Sequence, residues 1–328
     1  MSCLYLIVPC YNEEECIQDT VRRLSDKLSK LMENKIVDDN SRILYVNDGS
    51  SDRTWELLKK AAEKDPSHIS AVSLSRNEGH QNALWCGLNV AYPEADITIS
   101  IDADLQQDID AIEKFVEKYN EGNDVVLGIR KSRNTDGFMK KMSATLYYKL
   151  MDLLGTKTVP NHADYRLLSR KALSALLEYG ETQLFLRGIV ANLGFNTGYV
   201  YFDVKPREKG SSKYSVSKMM SLAFNGITSL SIRPMQFMSL LGVIALIVSV
   251  IMIIKNIITF FRGEAVVGWA STVCTIWMLG GINLLCMGLL GEYIGKIYLE
   301  AKHRPVYFIM DSVNVEKEDK KDDRIPRR

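Results

Sequence analysis

The sequence predicts an α/β domain with a mostly parallel sheet, followed by two long apolar helices. In residues 1–130, short apolar runs alternate with stretches of helical periodicity, as in sheets flanked by helices. The apolar runs are continuous, which is typical of parallel strands that are buried on both faces. Beyond residue 234 the composition changes to long runs without charge.

Five apolar runs are expected to form strands, at 3–8, 43–47, 69–74, 96–101 and 124–129. Four stretches between them are expected to be helices, at 14–33, 53–64, 80–91 and 109–120. Ligands of such sheets bind beyond the carboxyl ends of the strands. The polar segments that follow the first four strands should therefore form the site, and they lie at 9–15, 47–54, 75–80 and 102–108.

Charge and cysteine usage exclude two classes of protein. Lys and Arg total 41 and Asp and Glu total 40, a balance that argues against a nucleic-acid coat protein. The six cysteines form no CxxC pair, so we expect reduced thiols facing the cytosol rather than a structural zinc site. The first residues lack the basic segment of a signal peptide.

Two uncharged runs, 235–254 and 265–291, are each long enough to cross a bilayer as a helix. They should form a hairpin, with buried helices of a soluble core as the alternative. Lys and Arg concentrate at 205–233 and 296–304, which predicts a multi-pass protein of the cell membrane with both termini in the cytoplasm. The basic, amphipathic stretches 137–155 and 211–234 could lie in the membrane interface, although 137–155 suits an ordinary domain helix equally well.

The segment DADLQQD places Asp102 and Asp104 directly after a predicted strand. On an extended backbone their side chains point to the same side, and Gln106 continues that side. Such oxygen ligands suit Mg²⁺ or Mn²⁺, whose coordination is usually completed by phosphate oxygens. A solvated loop of helix-capping acids is the alternative.

Residues after the first two strands could hold a nucleoside. Asp48 could accept a hydrogen bond from a base N–H, the ring of Tyr11 could stack on a base, and Glu13 could bind ribose hydroxyls. Asp52 is expected to cap the helix that follows it. Glu13 equally suits the first turn of a helix, where carboxylates are stabilised.

In combination, PCYNE at 9–13, NDGSSDRT at 47–54, Asn77 with Gly79 and Ala83, and DAD at 102–104 resemble the family-2 inverting glycosyltransferases. The resemblance covers about residues 1–215 and implies the GT-A nucleotide-sugar fold. DYRLLSR at 164–170, FLRG at 185–188, REKGSSKYS at 207–215 and the terminal RPVY resemble its polyprenyl-phosphate branch. Processive polysaccharide synthases carry a Gln-x-x-Arg-Trp motif. This chain lacks its Trp after Arg187.

The resemblance implies a role for each matching residue. The expected catalytic residues are Asp104, Asp164 and Arg187. The expected metal ligands are Asp102, Asp104 and Gln106, and the ion is Mg²⁺ or Mn²⁺. The expected substrate-binding residues are Pro9, Tyr11, Glu13, Asp48, Asn77, Asp102, Arg130, Arg207 and Lys213, of which Arg130 would hold a lipid phosphate. Asp164 is either a general base or a positioning group, because a phosphate acceptor needs little deprotonation.

The implied activity is transfer of one sugar from a UDP-sugar to undecaprenyl phosphate, with glucose expected before N-acetylglucosamine. Transfer to a lipid hydroxyl such as diacylglycerol, or a non-catalytic membrane scaffold, are the alternatives. The expected division is a donor half at 1–130, an acceptor half at 131–215, a juxtamembrane amphipathic helix at 216–233 and two membrane helices at 234–295. A cytoplasmic C-terminal strand and a disordered charged tail are expected at 296–328. Glycines of the second span, such as Gly280 and Gly288, suggest a homo-oligomer or a tight hairpin.

Overall fold

A computed structural model describes residues 1–131, 159, 162–180, 186–203, 233–262 and 268–315. The chain forms two compact units. The first comprises Met1–Tyr148, Lys157–Tyr214 and His303–Arg328, and the second comprises Lys149–Thr156 and Ser215–Lys302. The expected interfacial segment 137–155 and residues 211–232 of the expected segment 211–234 lie outside the described residues, as do Arg207 and Lys213.

The strands of the first unit are β1 (Leu4–Cys10), β2 (Arg42–Asn47), β3 (Ile69–Leu74), β4 (Ile97–Ser100), β5 (Val125–Arg130), β6 (His162–Ser169), β7 (Thr197–Phe202) and β8 (Ile309–Val313). Its helices are α1 (Ile17–Glu33), α2 (Thr54–Lys64), α3 (His80–Ala91), α4 (Ala111–Asn120), α5 (Arg170–Leu177) and α6 (Leu186–Asn192). The five predicted strands and four predicted helices are confirmed, with ends that differ by three residues or fewer.

The described strands form one mixed sheet in the order β7-β5-β6-β4-β1-β2-β3-β8. β4, β1, β2 and β3 are parallel, as expected for the first half of the chain. Beyond β4 the sheet is mixed rather than mostly parallel, because β6 lies antiparallel between β4 and β5, whereas β5 and β7 pair parallel. At the other edge, β8 returns from the end of the chain and pairs antiparallel with β3.

Both faces of the sheet are buried at its central strands, such as β1, whereas the edge strand β7 is exposed at alternate residues. Side chains alternate between the two faces along each strand. In β1, Leu4 and Leu6 pack against α1, α2 and α4, whereas Tyr5 and Ile7 pack against α3, α5 and α6. The apolar runs are therefore continuous in sequence although each face has its own core. The carboxyl ends of β1, β2 and β4 meet at one edge, and this edge carries the predicted site.

The second unit contains two long helices, α7 (Arg233–Phe261) and α8 (Trp269–Ala301). Large apolar side chains are exposed on both, including Ile247 and Leu284. Within the described residues, one helical segment, Met278–Ala301, is long and apolar enough to cross a membrane, judged by length and composition. The expected hairpin of two membrane spans is not confirmed by this finding and stays a prediction.

Candidate active site

The loops that follow β1 and β2 are tied together by side chain–backbone hydrogen bonds. The N–H of Asn12 donates to Oγ of Ser50, and the N–H of Glu13 donates to Oγ1 of Thr54, each at 2.9 Å. Asn12 has a positive φ of 53°, which asparagine tolerates better than most residues. Tyr11 stands in this fixed loop with 40% of its surface exposed, so its ring is accessible to a ligand.

Asp48 binds the backbone of the loop that follows β3. It is 2% exposed, and its two carboxylate oxygens accept the N–H groups of Glu78 at 2.7 Å and Gly79 at 3.0 Å. Burial raises the pKa of Asp48, and the two N–H donors oppose that rise. A Cβ at Gly49 would lie 2.3 Å from the carbonyl carbon of Arg76, so glycine is needed for the two loops to approach. Since a carboxylate oxygen can accept more than one hydrogen bond, the expected contact of Asp48 with a base stays a prediction.

The remaining residues expected to bind the donor differ in accessibility. Pro9 is buried within β1, where it is paired with Val46 of β2, whereas Asn77 is exposed. Glu13 is half-buried, and its Oε2 accepts a hydrogen bond from the thiol of Cys16 at 3.0 Å. Their expected roles stay predictions. Oδ1 of Asp52 accepts the N–H of Thr54, the first residue of α2, at 3.0 Å. The N-cap position of α2 is Arg53 and has no side-chain cap hydrogen bond, so the expectation that Asp52 caps this helix is not confirmed.

Asp102 and Asp104 lie in a turn rather than on an extended backbone. The N–H of Leu105 donates to the carbonyl oxygen of Asp102 at 3.3 Å, and Leu105 has a φ of +48°. The backbone N–H of Gln106 donates to Oδ1 of Asp104 at 3.1 Å. The expectation that Gln106 continues one side of an extended strand is therefore wrong, because the turn breaks the two-residue alternation. Its role as a metal ligand stays a prediction.

The turn is held by two buried polar side chains that the sequence reasoning missed. Gln107 accepts the backbone N–H of Asp102 on Oε1 at 3.1 Å and donates from Nε2 to its Oδ2 at 2.7 Å. Thr20 of α1 donates its hydroxyl to the carbonyl oxygen of Ala103 at 2.7 Å. Gln107 is 2% exposed and Thr20 is 1% exposed. No local signal distinguishes Gln107 from its neighbour Gln106, since only the turn separates their environments.

Asp164, on β6, is clamped by two arginines. Arg187 donates from Nε to Oδ1 at 3.1 Å and from Nη2 to Oδ2 at 2.8 Å, which is a bidentate pair. Arg166 donates from Nη2 to Oδ1 at 2.5 Å. Burial alone would raise the pKa of Asp164, but the charges of Arg187 and Arg166 outweigh it and hold that pKa well below its ordinary value. Asp164 is therefore a permanently ionised and weakly basic carboxylate.

His80, the first residue of α3, stands between the two acidic groups. Its Nε2 lies 3.8 Å from Oδ1 of Asp102 and 3.7 Å from Oδ2 of Asp164. Burial raises the pKa of Asp102; His80 opposes this rise, whereas the neighbouring carboxylates of Asp164 and Asp104 add to it. The fold thus gathers three carboxylates into one cleft, although Asp164 is 62 residues from Asp102 in the chain.

Arg130, the expected contact for a lipid phosphate, ends β5 and is exposed. Its charge is among the influences that lower the pKa of His162 to about 3, after burial and the charges of Arg166 and Arg187. Its expected contact with a lipid phosphate stays a prediction.

The donor set fits a divalent cation of the Mg²⁺ or Mn²⁺ type. Within the described part of the chain there is no group of three or more His, Cys, Asp or Glu side chains that could enclose a metal ion. Such ions are commonly held by one or two carboxylates together with substrate phosphates, which Asp102 and Asp104 could provide. A cation would also offset the burial and the carboxylate repulsion that together raise the pKa of Asp102.

The chain is similar to known proteins along most of its length. The family model described as glycosyl transferase family 2 matches residues 5–177. An uncharacterized glycosyltransferase, YkoT, of Bacillus subtilis (strain 168) is 45% identical over 306 residues, which cover 93% of this chain and 90% of that protein. A bactoprenol glucosyl transferase of Shigella phage SfV is 37% identical over 309 residues, which cover 93% of this chain and 97% of that protein.

Among solved structures, the chain is similar to glucosyl-3-phosphoglycerate synthase from Mycobacterium tuberculosis in complex with Mn²⁺, UDP-glucose and phosphoglyceric acid. The identity is 18% and the TM-score is 0.44, over 70% of this chain and 78% of that one. The domain is an α/β nucleotide-sugar fold of the GT-A type with a mixed sheet. Because the family model covers more than half of the chain and its relatives match nearly all of it, this protein belongs to glycosyl transferase family 2.

Proposed function

We propose that this protein transfers one sugar from a UDP-sugar to the phosphate of a long polyprenol, with undecaprenyl phosphate as the acceptor and glucose as the first candidate sugar. The observation that carries the proposal is the arrangement of charge in one cleft. Asp102 and Asp104 lie at the sheet edge where a nucleotide would bind. The ionised carboxylate of Asp164 beside them is paired with two arginines. A relative 37% identical along nearly its whole length is named a bactoprenol glucosyl transferase.

The state of Asp164 supports a phosphate acceptor. A hydroxyl acceptor requires a general base whose pKa lies near the working pH. Asp164 does not meet that requirement, because Arg187 and Arg166 hold its pKa well below the ordinary value. A phosphate oxygen is already anionic at neutral pH and needs no such base. Arg187 and Arg130 would instead attract the acceptor by their charge.

In the proposed reaction, an oxygen of the lipid phosphate attacks the anomeric carbon of the sugar from the face opposite the diphosphate. The bond from that carbon to the diphosphate oxygen breaks, UDP leaves with the electron pair, and the α-linked donor gives a β-linked product. A divalent cation held by Asp102 and Asp104 would neutralise charge on the diphosphate. Arg207 and Lys213 would close over the phosphates, as the resemblance implies.

We further propose that α7 and α8 anchor the protein in the bacterial cell membrane with the catalytic unit in the cytoplasm. Their exposed apolar surfaces, for example at Ile247 and Leu284, are unfavourable in water and suited to lipid. Anchoring would place the site near the phosphate group of a membrane lipid, which lowers the entropic cost of bringing the two substrates together. The lipid product would then serve a later step of cell-wall or surface-glycan modification.

The test is sugar transfer by the detergent-purified full chain. Radiolabelled UDP-sugars are offered with undecaprenyl phosphate, in Mg²⁺, in Mn²⁺ or in EDTA, beside the variant Asp104→Ala. We expect one labelled lipid that depends on metal, is lost in the variant and is released by mild acid, as a polyprenyl sugar phosphodiester should be. An acid-stable glycolipid made from diacylglycerol would show that the acceptor is a lipid hydroxyl rather than the phosphate of a polyprenol. If folded protein produces no labelled lipid from any donor, the alternative of a non-catalytic membrane scaffold would be favoured.

A further inference from the structure

Gln107 makes two hydrogen bonds to Asp102. Its Oε1 accepts the backbone N–H of Asp102 at 3.1 Å, and its Nε2 donates to Oδ2 of the Asp102 side chain at 2.7 Å. The amide therefore closes a ring that includes both the main chain and the carboxylate of Asp102. Two such bonds restrict the backbone and the side-chain torsions of Asp102 together, which a single contact to the carboxylate would not do.

The two oxygens of Asp102 consequently have different surroundings. Oδ2 is bound to Gln107, which is 2% exposed. Oδ1 lies on the side of His80, whose Nε2 is 3.8 Å away, and the Asp102 side chain is 30% exposed. Gln107 thus engages Oδ2 and leaves Oδ1 facing His80, whose side chain is 39% exposed.

The hydrogen bonds of Gln107 restrain a turn that lies beyond the end of a strand. β4 ends at Ser100, and the chain then makes a turn in which Leu105 has a positive φ. A loop beyond a strand end is held by fewer backbone hydrogen bonds than the strand itself. A buried amide that lost its partners would be left with unsatisfied polar groups, so the paired arrangement is strongly preferred.

We propose that Gln107 is a positioning residue that directs Oδ1 of Asp102 toward the divalent cation and the donor diphosphate. The inference rests on the proposed function, since it assumes that Asp102 binds a cation there. Gln107 itself touches neither substrate nor metal. It acts through Asp102, in the way that residues behind a metal ligand fix its orientation and typically change affinity by about 10–100-fold.

The test compares Gln107→Met with Gln18→Met in the full chain. Methionine keeps the length and volume of glutamine but forms neither hydrogen bond, and Gln18 is an exposed residue of α1. Mn²⁺ binding is measured by electron paramagnetic resonance in the presence of UDP. UDP binding in EDTA is measured by calorimetry, and sugar transfer is measured over a range of Mn²⁺ concentrations.

For Gln107→Met we expect a Mn²⁺ dissociation constant raised at least about tenfold, which is the lower end of the effect of such supporting residues. UDP binding in EDTA should stay within twofold of wild type, and raising Mn²⁺ should restore most of the transfer rate. Gln18→Met should match wild type in all three measurements.

Three results would overturn the inference. Mn²⁺ affinity in Gln107→Met equal to that of wild type would show that Asp102 does not depend on Gln107. Loss of metal-free UDP binding, or of a cooperative melting transition, would show that Gln107 supports the whole domain and not Asp102 in particular. If wild-type protein binds no Mn²⁺, the assumption that Asp102 holds a cation would be wrong. Failure of the proposed function is distinguished by wild type that binds Mn²⁺ and UDP but transfers no sugar.

Discussion

At the scale of single residues, ion pairing decides what the acidic side chains of the cleft can do. Asp102 and Asp164 are both carboxylates at the end of one sheet, yet the pKa of the first is raised and that of the second is lowered. Burial raises the pKa of both groups. At Asp102 the carboxylates of Asp164 and Asp104 add to that rise, whereas at Asp164 the charges of Arg187 and Arg166 outweigh it. Two residues of the same type therefore differ in how readily their carboxylates bind a proton. For this reason the sequence alone left open whether Asp164 is a general base.

If Asp164 acts by holding Arg187, the two residues should act as one unit. Asp164→Asn and Arg187→Met should each lower kcat/KM on the order of 100-fold, as misplaced groups near the chemistry can do. The double variant should lose little more than the worse single variant, because contacting residues are not additive. Sugar transfer by the four proteins gives this comparison. Losses that multiply in the double variant would contradict the shared role.

His162, on β6, should make stability depend on pH. Its pKa is about 3 in the folded chain, against an ordinary value of 6.5, first because it is buried and then because Arg166 and Arg187 are positive. Among the described residues, no hydrogen-bond partner is found for its Nε2. Between pH 6.5 and 3 the unfolded chain binds the extra proton, so acidification favours unfolding and stability rises with pH over that window.

The free energy of unfolding should therefore be lower at pH 5 than at pH 7 by about 2 kcal/mol from this residue. His162→Gln should reduce that difference, whereas the exposed His303→Gln should leave it unchanged. Urea unfolding of the detergent-solubilised chain at both pH values is the measurement. An unaltered pH dependence in His162→Gln would show that other groups cause it.

At the scale of elements, β8 shows how the end of the chain completes the sheet. The N–H of Ser75 donates to the carbonyl oxygen of Phe308 at 2.9 Å, just before the loop that binds Asp48. Asn314 donates from Nδ2 to the carbonyl oxygens of Ala62 at 2.7 Å and Ile69 at 2.9 Å. β8 thus covers the edge of β3, which would otherwise expose unpaired backbone groups.

Asn314 should stabilise the docked strand more than the nearby ion pair does. It has a φ of +55°, so Asn314→Gly keeps the backbone conformation and removes only the two side-chain bonds. We expect a loss of about 1–2 kcal/mol of unfolding free energy. Asp311→Ala, which breaks a 2.9 Å pair with Lys59 that is 40% exposed on each side, should cost less than that, because solvent weakens an exposed ion pair. Urea unfolding tests both variants, and a larger loss in Asp311→Ala would contradict the ranking.

At the scale of the whole molecule, the two units differ in the surface they present. The first unit buries its apolar side chains in two cores, whereas α7 and α8 of the second expose theirs. If the second unit lies in a bilayer, the full chain should stay with bacterial membranes after extraction with alkaline carbonate. Replacing both Leu284 and Leu285 by Arg should impair insertion, because each Arg costs about 2.5–3.5 kcal/mol at the centre of a span.

Tyr179→Arg, at an exposed position of the first unit, is the matched control for added charge and should leave the membrane fraction unchanged. Membrane and soluble fractions are compared by quantitative immunoblotting. Full-length wild type recovered in the carbonate supernatant would contradict the anchor.

The sequence by itself determined the alternation of strands and helices in residues 1–130, because that pattern depends on local periodicity. It also determined which polar segments end the strands, since strand ends are marked by polar and turn residues. Only the tertiary structure decided that β6 inserts between β4 and β5 and brings Asp164 within 3.7 Å of His80. It likewise decided that Gln107, rather than Gln106, holds Asp102. Both outcomes depend on strand pairing and a turn with positive φ, and neither leaves a repeating pattern in the sequence.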